Sequence, residues 1–306
     1  MSNKLRIVFM GTPAFAVESL NILVKNNYEI AAVVTAPDKP SGRGQKINMS
    51  AVKEYALNHE IPVLQPIKLK EETFLEALKD LNANLFVVVA FRMLPEVVWN
   101  MPKLGTFNLH ASLLPQYRGA APINWALING ETQTGVTTFF LQHEIDTGNI
   151  LLSESIAILP EDDLSSLHDK LMDLGAELTL KTVQAIENND IHPQAQSQEP
   201  TKPAPKIFKE DCLLDFEQNV TQVHNKVRGM SPFPAAFTHL EGKTLKIFKT
   251  EVQEIHGDVA HGTIDTDQKT YLRIKCKGGW LNVLELQLEG KKRMSVTDFL
   301  KGYRFQ

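Results

Sequence analysis

Cysteine is scarce in this sequence of 306 residues, which contains only Cys212 and Cys276. The two cysteines lie far apart and match no C-x-x-C pattern, so the sequence supports neither a disulfide framework nor a zinc site. We expect both to be reduced, inert thiols. The H-E-x-x-H pattern and clusters of histidine and cysteine are missing as well, and we therefore expect no metal in the function of this chain.

Long apolar segments are also lacking. The longest apolar run, residues 85–91, is far shorter than the roughly 18 residues that would cross a membrane. The apolar run near the N-terminus is too short for a secretory signal. These absences predict a cytoplasmic protein without a membrane partner.

The glycine-rich fingerprints of nucleotide-binding proteins are absent. Gly11 follows the first apolar run, but it lacks the partners of a G-x-G-x-x-G motif, and no G-x-x-x-x-G-K-[ST] loop occurs. Since these loops are what brings a backbone close to a pyrophosphate, a nicotinamide dehydrogenase and a nucleoside triphosphatase are disfavoured.

Charge is distributed unevenly along the chain, although the formal net charge is only -4. From residue 200 onward there are 17 Lys and Arg against 13 Asp and Glu, whereas the first 199 residues hold 15 against 23. A basic second part favours an anionic partner. An excess of this size is also common in globular domains, so charge alone leaves the question open.

The first part of the sequence alternates predicted strands and helices. Residues 4–10 read as a buried strand, and Thr12 suits the N-cap of the next helix, with Pro13 at its first position. Residues 29–35 form the following strand, and the alternation ends with a long amphipathic helix over residues 164–187. This β-α-β pattern predicts a Rossmann-like, mostly parallel sheet with helices on both faces.

The second part of the sequence differs in composition and in apolar pattern. Residues 190–208 contain four prolines among Gln, Ser and Lys and show no apolar period, which is typical of a semi-rigid linker. Short strands with turn residues between them follow and predict a small OB-like β-barrel. We therefore divide the chain into a first domain (1–189), the linker and a second domain (209–306).

The most informative segment is residues 105–115. Read at the period of two of a strand, Asn108, His110 and Ser112 project from one face and apolar residues from the other. Ligands of open α/β sheets bind beyond the carboxyl ends of strands, where Pro115 ends this one. An amide can donate to a developing oxyanion, and an imidazole can do the same when protonated, or can move a proton. A lone histidine is most often structural, but three polar groups on one face favour a site.

A second polar group is Asp146 in an Asp-Thr-Gly turn. A carboxylate here can orient His110 and keep it cationic, as the orienting residues of catalytic histidines do. A plain Asx turn is the alternative. The same three letters occur in aspartic proteases, but this sequence contains no second copy.

A long connection, residues 36–49, follows the second predicted strand. Lys39, Arg43 and Lys46 make it basic, and two glycines give it conformational freedom. Loops of this length are usually functional or disordered. The composition suits an arm that contacts phosphates, and a solvated loop is the alternative.

Four motifs together resemble the 10-formyltetrahydrofolate-dependent formyltransferases. They are Asn108-x-His110-x-Ser112-Leu113-Leu114-Pro115, Arg118-Gly119-Ala120-Ala121-Pro122, Thr134-Gly135-Val136-Thr137 and Asp146-Thr147-Gly148. The Gly11-Thr12-Pro13 opening, the basic loop and the second half of the chain are similar to the branch of that family that acts on charged initiator tRNA. Phe208 departs from the family pattern, which usually has serine there, but it lies in the linker.

The resemblance implies a reaction and its catalytic residues. A formyl group would pass from 10-formyltetrahydrofolate to the α-amino group of methionine on initiator tRNA, for initiation of protein synthesis. Asn108 and protonated His110 would stabilise the charge that develops on the formyl oxygen, each donor contributing roughly 3–4 kcal/mol. Asp146 would hold His110 cationic and oriented, without a metal.

The resemblance also implies binding residues, and we expect the enzyme to be a monomer. The folate pocket would be lined by residues of the Ser-Leu-Leu-Pro motif and of the segment after residue 90, namely Ser112, Leu113, Leu114, Pro115, Phe91, Arg92 and Leu94. The basic loop would embrace the acceptor stem, with Arg43 as its leading contact. The tRNA-binding residues would be Lys39, Arg43, Lys46, Lys206 and Lys209.

Three other functions remain open. A formyltransferase for a small amine would use the same chemistry, but the basic loop and the second domain argue against it. A hydrolase that releases formate from the same folate differs only in using water. A tRNA-binding module with an inert first domain is disfavoured because Asn108, His110 and Ser112 share one face.

Overall fold

A computed structural model of the chain describes residues 5–41, 46–255 and 257–305. The helices are α1 (Phe15–Lys25), α2 (Ala51–Asn58), α3 (Glu72–Asp80), α4 (Glu96–Trp99), α5 (Pro122–Ile128), α6 (Leu164–Glu187), α7 (Val220–Met230), α8 (Val296–Gly302) and a 3-10 helix (Glu210–Cys212). The strands are β1 (Arg6–Gly11), β2 (Glu29–Val34), β3 (Lys39–Ser41), β4 (Lys46–Asn48), β5 (Val63–Leu64), β6 (Leu85–Val89), β7 (Thr106–His110), β8 (Arg118–Gly119), β9 (Gln133–Phe140), β10 (Ile150–Ala157), β11 (Pro203–Ala204), β12 (Ala236–Leu240), β13 (Lys243–Gln253), β14 (Ile264–Thr266), β15 (Leu272–Cys276), β16 (Gly279–Leu288) and β17 (Met294–Ser295).

The chain divides into two compact units that interleave in sequence. The first comprises Met1–Gly119, Thr134–Ile156 and His168–Pro203, and the second comprises Ala120–Gln133, Ala157–Leu167 and Ala204–Gln306. The helix α5 therefore groups with the C-terminal half of the chain. The three consecutive segments derived from the sequence remain a prediction.

A seven-stranded sheet forms the centre of the first unit, in the order β10-β9-β7-β6-β1-β2-β5. Five neighbouring strands, β7, β6, β1, β2 and β5, run parallel to one another, and β7 pairs with β9 in antiparallel fashion. All five residues of β6 are buried, because a central strand that is covered on both faces has no polar side. The predicted mostly parallel sheet is confirmed.

The second unit contains a six-stranded antiparallel sheet. Five strands follow the order β12-β13-β16-β15-β14, and β17 pairs with β16. Register shifts near Lys249 bend β13, as bulges do, and the sheet curls into half of a barrel. Its concave core is closed by α7, whose Val223 and Val227 pack with strand residues such as Leu281. The predicted β-rich second domain is thereby confirmed in its architecture.

The start of α1 differs from the sequence expectation. The helix begins at Phe15, its N-cap residue is Ala14, and that residue provides no side-chain cap. Thr12 is therefore not the N-cap, because β1 stays paired with β6 as far as Gly11. Three residues are needed to turn the chain from the strand into the helix, and the turn is closed by the amide of Ala16, which donates to the Pro13 carbonyl at 3.0 Å.

Both cysteines are free and buried in the second unit. Burial raises the pKa of Cys276 to about 12 and raises the pKa of Cys212 as well. A thiol that keeps its proton at neutral pH is a poor nucleophile, which agrees with the expectation of inert cysteines.

A half-buried histidine makes the stability of the second unit depend on pH. The Nδ1 atom of His224 in α7 lies 2.8 Å from the Thr250 hydroxyl. Burial, and secondarily the charge of Arg228, lowers the pKa of His224 from 6.5 to about 4. Between pH 6.5 and pH 4, the unfolded chain therefore binds a proton at His224 that the folded chain does not bind. The stabilisation is full above pH 6.5 and is lost as the pH falls through this window.

We expect the free energy of unfolding to fall by about 1–2 kcal/mol between pH 7 and pH 5 through this residue. The His224→Gln variant should lose that part of the pH dependence in urea unfolding at the two pH values. The matched control is His239→Gln, since His239 is exposed in the same unit. Identical pH dependence in His224→Gln and the wild type would contradict the prediction.

Candidate active site

The strand β7 carries the polar face that the sequence predicts. Leu109 points toward α6, where a Cβ on Gly175 would lie 2.7 Å from its Cδ2. Asn108 and His110 therefore project from the opposite face. Within the described ranges, the side chain of Asn108 makes no hydrogen bond, so its amide has free donors for a ligand.

The imidazole of His110 is held by one backbone group and faces one carboxylate. Its Nε2 lies 2.8 Å from the carbonyl oxygen of Tyr117. Because a carbonyl can only accept, Nε2 carries the hydrogen. Nδ1 lies 3.9 Å from Oδ2 of Asp146, and the two side chains are only 7% and 14% exposed. The Asp146 carboxylate therefore faces the Nδ1 side of the ring from beyond normal hydrogen-bond distance.

Asp146 lies in the turn between β9 and β10, and the backbone of Gly119 fixes its carboxylate. The Gly119 amide donates to Oδ2, the oxygen that faces His110, at 2.9 Å. Asp146 has φ +55°, in the left-handed region, which Asp tolerates better than most residues. Gly148 is required two residues later, since a Cβ there would meet the Phe140 carbonyl at 1.6 Å.

The turn after β7 is stabilised by hydroxyl groups. Ser112 is fully buried and donates to the Gln116 carbonyl at 2.6 Å. The hydroxyl of Thr137, which pairs with His110 across the sheet, donates to the Ser112 carbonyl at 2.7 Å and accepts from the Leu114 amide at 3.1 Å. The hydroxyl of Ser112 is thus used within the protein, whereas Leu113 and Pro115 are partly exposed.

The segment after β6 carries the other residues predicted to line the folate pocket. Phe91 is half-buried, and the guanidinium of Arg92 lies 5.7 Å from the centre of its ring. Arg92 also donates to the carbonyl oxygens of Pro66 and Ile67. Leu94 is buried in the hydrophobic core of the sheet. Phe91 and Arg92 are therefore the members of this segment that a ligand can reach.

The predicted tRNA-binding residues are only partly described. Lys39 is exposed on β3, and Lys46 lies on β4, which pairs with β3. Arg43 lies outside the described residues. The preceding Asp38 is anchored by Lys53, whose hydrogen bond is the main reason that the pKa of Asp38 is lowered.

Two lysines predicted to bind tRNA lie in the second unit. Lys206 and Lys209 are both exposed, and the Lys206 ammonium lies 5.3 Å from the ring centre of Phe208. The side chain of Phe208 is itself exposed. This stretch therefore presents positive charge and an aromatic ring to solvent.

Four residues of this site were not singled out by their own sequence context. Tyr117 and Gly119 act through backbone atoms, Thr137 lies inside an apolar strand, and Gln196 in the predicted linker binds the Asp146 turn. A backbone carbonyl leaves no trace in a sequence, whereas Gly119 and Thr137 lie in two of the motifs that carry the family resemblance.

Within the described part of the chain, no group of three or more His, Cys, Asp or Glu side chains has a metal-binding arrangement. No helix in the same ranges is long and apolar enough to cross a membrane.

Two protein-family models together match most of the chain. The family described as Formyl transferase matches residues 5–183, and its C-terminal domain matches residues 206–304. The methionyl-tRNA formyltransferase of Bacteroides thetaiotaomicron is 54% identical over 310 residues, which cover 98% of this chain and 96% of that protein. The methionyl-tRNA formyltransferase of Flavobacterium johnsoniae is 52% identical and covers 99% of this chain and 97% of its own length.

Solved structures share the fold at lower identity. The N-formyltransferase from Helicobacter canadensis, in complex with folinic acid and dTDP-3-aminofucose, superposes with a TM-score of 0.67 at 21% identity. The match covers 91% of this chain and 98% of that one. At this identity the likeness supports the fold, while the chemistry follows from closer relatives and from the site.

Proposed function

The chain belongs to the formyl transferase family, in its methionyl-tRNA formyltransferase branch, and from this premise we propose how its residues carry out the reaction. The formyl group of 10-formyltetrahydrofolate passes to the α-amino group of methionine on charged initiator tRNA, for initiation of protein synthesis. A carbon–nitrogen bond forms to the amine, the bond to the folate nitrogen breaks, and the proton lost by the amine has to reach that nitrogen.

The polar groups of the site fit a formyl donor. The Asn108 amide has unused donors within the described residues, and Nδ1 of His110 lies too far from Asp146 for a full hydrogen bond. Two N–H groups without firm partners on one strand face suit an oxygen that gains negative charge. The folate supplies the activated formyl carbon, and the protein supplies donors that are in place before the charge develops.

Asp146 and Tyr117 prepare His110 for this role. The Tyr117 carbonyl accepts a hydrogen bond from Nε2–H, which leaves Nδ1 as the ring nitrogen for the substrate, and the Asp146 carboxylate would orient the ring and offset positive charge on it. The Gly119 amide holds the carboxylate in place. The observation that carries this mechanism is the placement of the His110 ring, with Nε2 bonded to the Tyr117 carbonyl and Nδ1 facing the Asp146 carboxylate.

The proposal assigns the remaining predicted residues to binding. Residues 1–189 would carry the formyl-transfer groups, residues 190–208 would join the domains and residues 209–306 would contact tRNA. The accessible residues of the folate pocket would be Phe91, Arg92, Leu113 and Pro115, with the buried Leu114 behind them. The exposed lysines would contact tRNA phosphates, a role that requires positive charge and no base recognition. We further propose that the enzyme is a monomer and that it works in the cytoplasm.

An acceptor panel tests this function. Formyl transfer from 10-formyltetrahydrofolate would be compared for charged initiator tRNA, glycinamide ribonucleotide, an amino-sugar nucleotide and water. We expect efficient turnover with the charged tRNA alone. Comparable turnover of a small amine would support the alternative transferase, and rapid formate release without an amine would support the hydrolase.

The basic loop should affect tRNA use and leave the donor unaffected. We expect Arg43→Ala to lower kcat/KM for charged tRNA and to reduce the slope of its logarithm against log salt by about one, as loss of one phosphate contact does. The KM for the folate should stay unchanged. Lys25→Ala, which removes an exposed charge at the end of α1, is the matched control. An unchanged kcat/KM for charged tRNA in Arg43→Ala would refute this role.

A further inference from the structure

One side chain of the predicted linker is anchored in the active-site turn. Nε2 of Gln196 donates to the carbonyl oxygens of Asp146 and Gly148, both at 2.8 Å. Oε1 of Gln196 accepts from the guanidinium of Arg118, with Nε at 3.0 Å. A primary amide offers two N–H donors and one carbonyl, so every polar atom of Gln196 is used at this site.

The partners of Gln196 permit only one orientation of its amide. A guanidinium can only donate, so Oε1 has to face Arg118. The carbonyls of Asp146 and Gly148 can only accept, so Nε2 has to face them. A side chain whose orientation is fixed at both ends can transmit a fixed position from Arg118 to the turn.

The turn needs such support because its backbone is strained. Asp146 has φ +55°, a region that costs a non-glycine residue energy and persists only where surrounding contacts hold it. Gln196 binds the carbonyl of Asp146 itself and that of the residue two positions later. These two bonds orient the peptide planes on the C-terminal side of the Asp146 side chain.

The same contacts connect both halves of the His110 environment. Arg118 lies between Tyr117, whose carbonyl accepts from His110, and Gly119, whose amide binds the Asp146 carboxylate. Gln196 therefore links the backbone of the Asp146 turn to the side chain of Arg118. The two sequence neighbours of Arg118 bind His110 and the Asp146 carboxylate. Loss of the Gln196 hydrogen bonds would let the carboxylate move relative to the imidazole.

We propose that Gln196, oriented by Arg118, is a positioning residue that sets the placement of the Asp146 carboxylate against His110. This inference rests on the proposed role of Asp146 in formyl transfer. Gln196 itself contacts only backbone carbonyls and Arg118, so it acts through Asp146 and not on the substrate.

The Gln196→Glu variant is the sharpest test. The glutamate keeps the size of the side chain and an oxygen that accepts from Arg118. Its second oxygen replaces the Nε2 donor, so it repels the carbonyl oxygens of Asp146 and Gly148. We expect kcat to fall by about 10- to 100-fold, as a displacement of about 1 Å in a catalytic group does. The KM values for the folate and for charged tRNA should stay within about two-fold of the wild type, because no binding group is changed.

Two further variants separate positioning from folding. Gln196→Met removes the hydrogen bonds without adding a charge and should also lower kcat in a protein that unfolds at nearly the wild-type temperature. Gln194→Glu makes the same chemical change on an exposed side chain two residues away and should behave as wild type. Wild-type kcat in both folded Gln196 variants would overturn the inference.

Combining the change with Asp146→Asn distinguishes this inference from the proposed function. If Gln196 acts through Asp146, the double variant should turn over no more slowly than Asp146→Asn alone in single-turnover assays. Losses that multiply would overturn the positioning role. Wild-type turnover in Asp146→Asn would instead refute the proposed mechanism, whereas loss in Asp146→Asn with full activity in the Gln196 variants would refute this inference alone.

Discussion

Replacing His110 with alanine is expected to lower kcat for formyl transfer by about 1,000-fold while charged tRNA still binds. The imidazole is proposed as one of two donors to the formyl oxygen, and removal of one such donor typically costs 100- to 1,000-fold, or about 3–4 kcal/mol. A contribution to proton movement would add to the loss. The residue is 6% exposed and presents little surface to a macromolecule, so tRNA affinity should change little.

The measurement is a single-turnover assay with saturating substrates, together with tRNA binding measured without the folate. His110→Gln serves as a second variant, because it fills more of the space left by the ring and guards against a collapsed site. His192→Ala is the matched control, since this histidine is 85% exposed in the same unit. Turnover near the wild-type rate in His110→Ala would exclude the proposed mechanism.

Replacing Asp146 with asparagine is expected to lower kcat by about 100-fold or more. The amide oxygen of asparagine can still accept from the Gly119 amide, so the turn should keep its shape. The negative charge that faces Nδ1 of His110 at 3.9 Å would be lost. The imidazole would then lack the carboxylate that orients it and offsets positive charge on it, so it would be a poorer donor to the formyl oxygen.

Thermal unfolding separates this effect from a structural one. Asp146→Asn should unfold at nearly the wild-type temperature, because the contact with the Gly119 amide is kept. Asp173→Asn, which removes an exposed carboxylate on α6, is expected to leave the rate unchanged. A wild-type rate in folded Asp146→Asn would contradict the proposed role of the carboxylate.

Much of the fold was predictable because its signals are local. The helix α6 has the predicted bounds, Leu164–Glu187, since its apolar period is long and uninterrupted. The strand β10, Ile150–Ala157, was not predicted. Most of its residues are only partly buried or exposed, so it lacks the apolar run that marked the inner strands. Edge strands of this kind are identified by their pairing, which depends on a neighbour elsewhere in the chain.

The sequence by itself determined that Asn108 and His110 share one face at the end of a strand, because the side-chain period of an extended backbone is a local property. It also carried the motifs that identify the family. Only the tertiary structure decided how His110 is held: Asp146 is 36 residues away, and Gln196 lies a further 50 residues along the chain. Their contacts, like those of the Tyr117 carbonyl, depend on how the chain returns to β7, and no local pattern of residue types records that path.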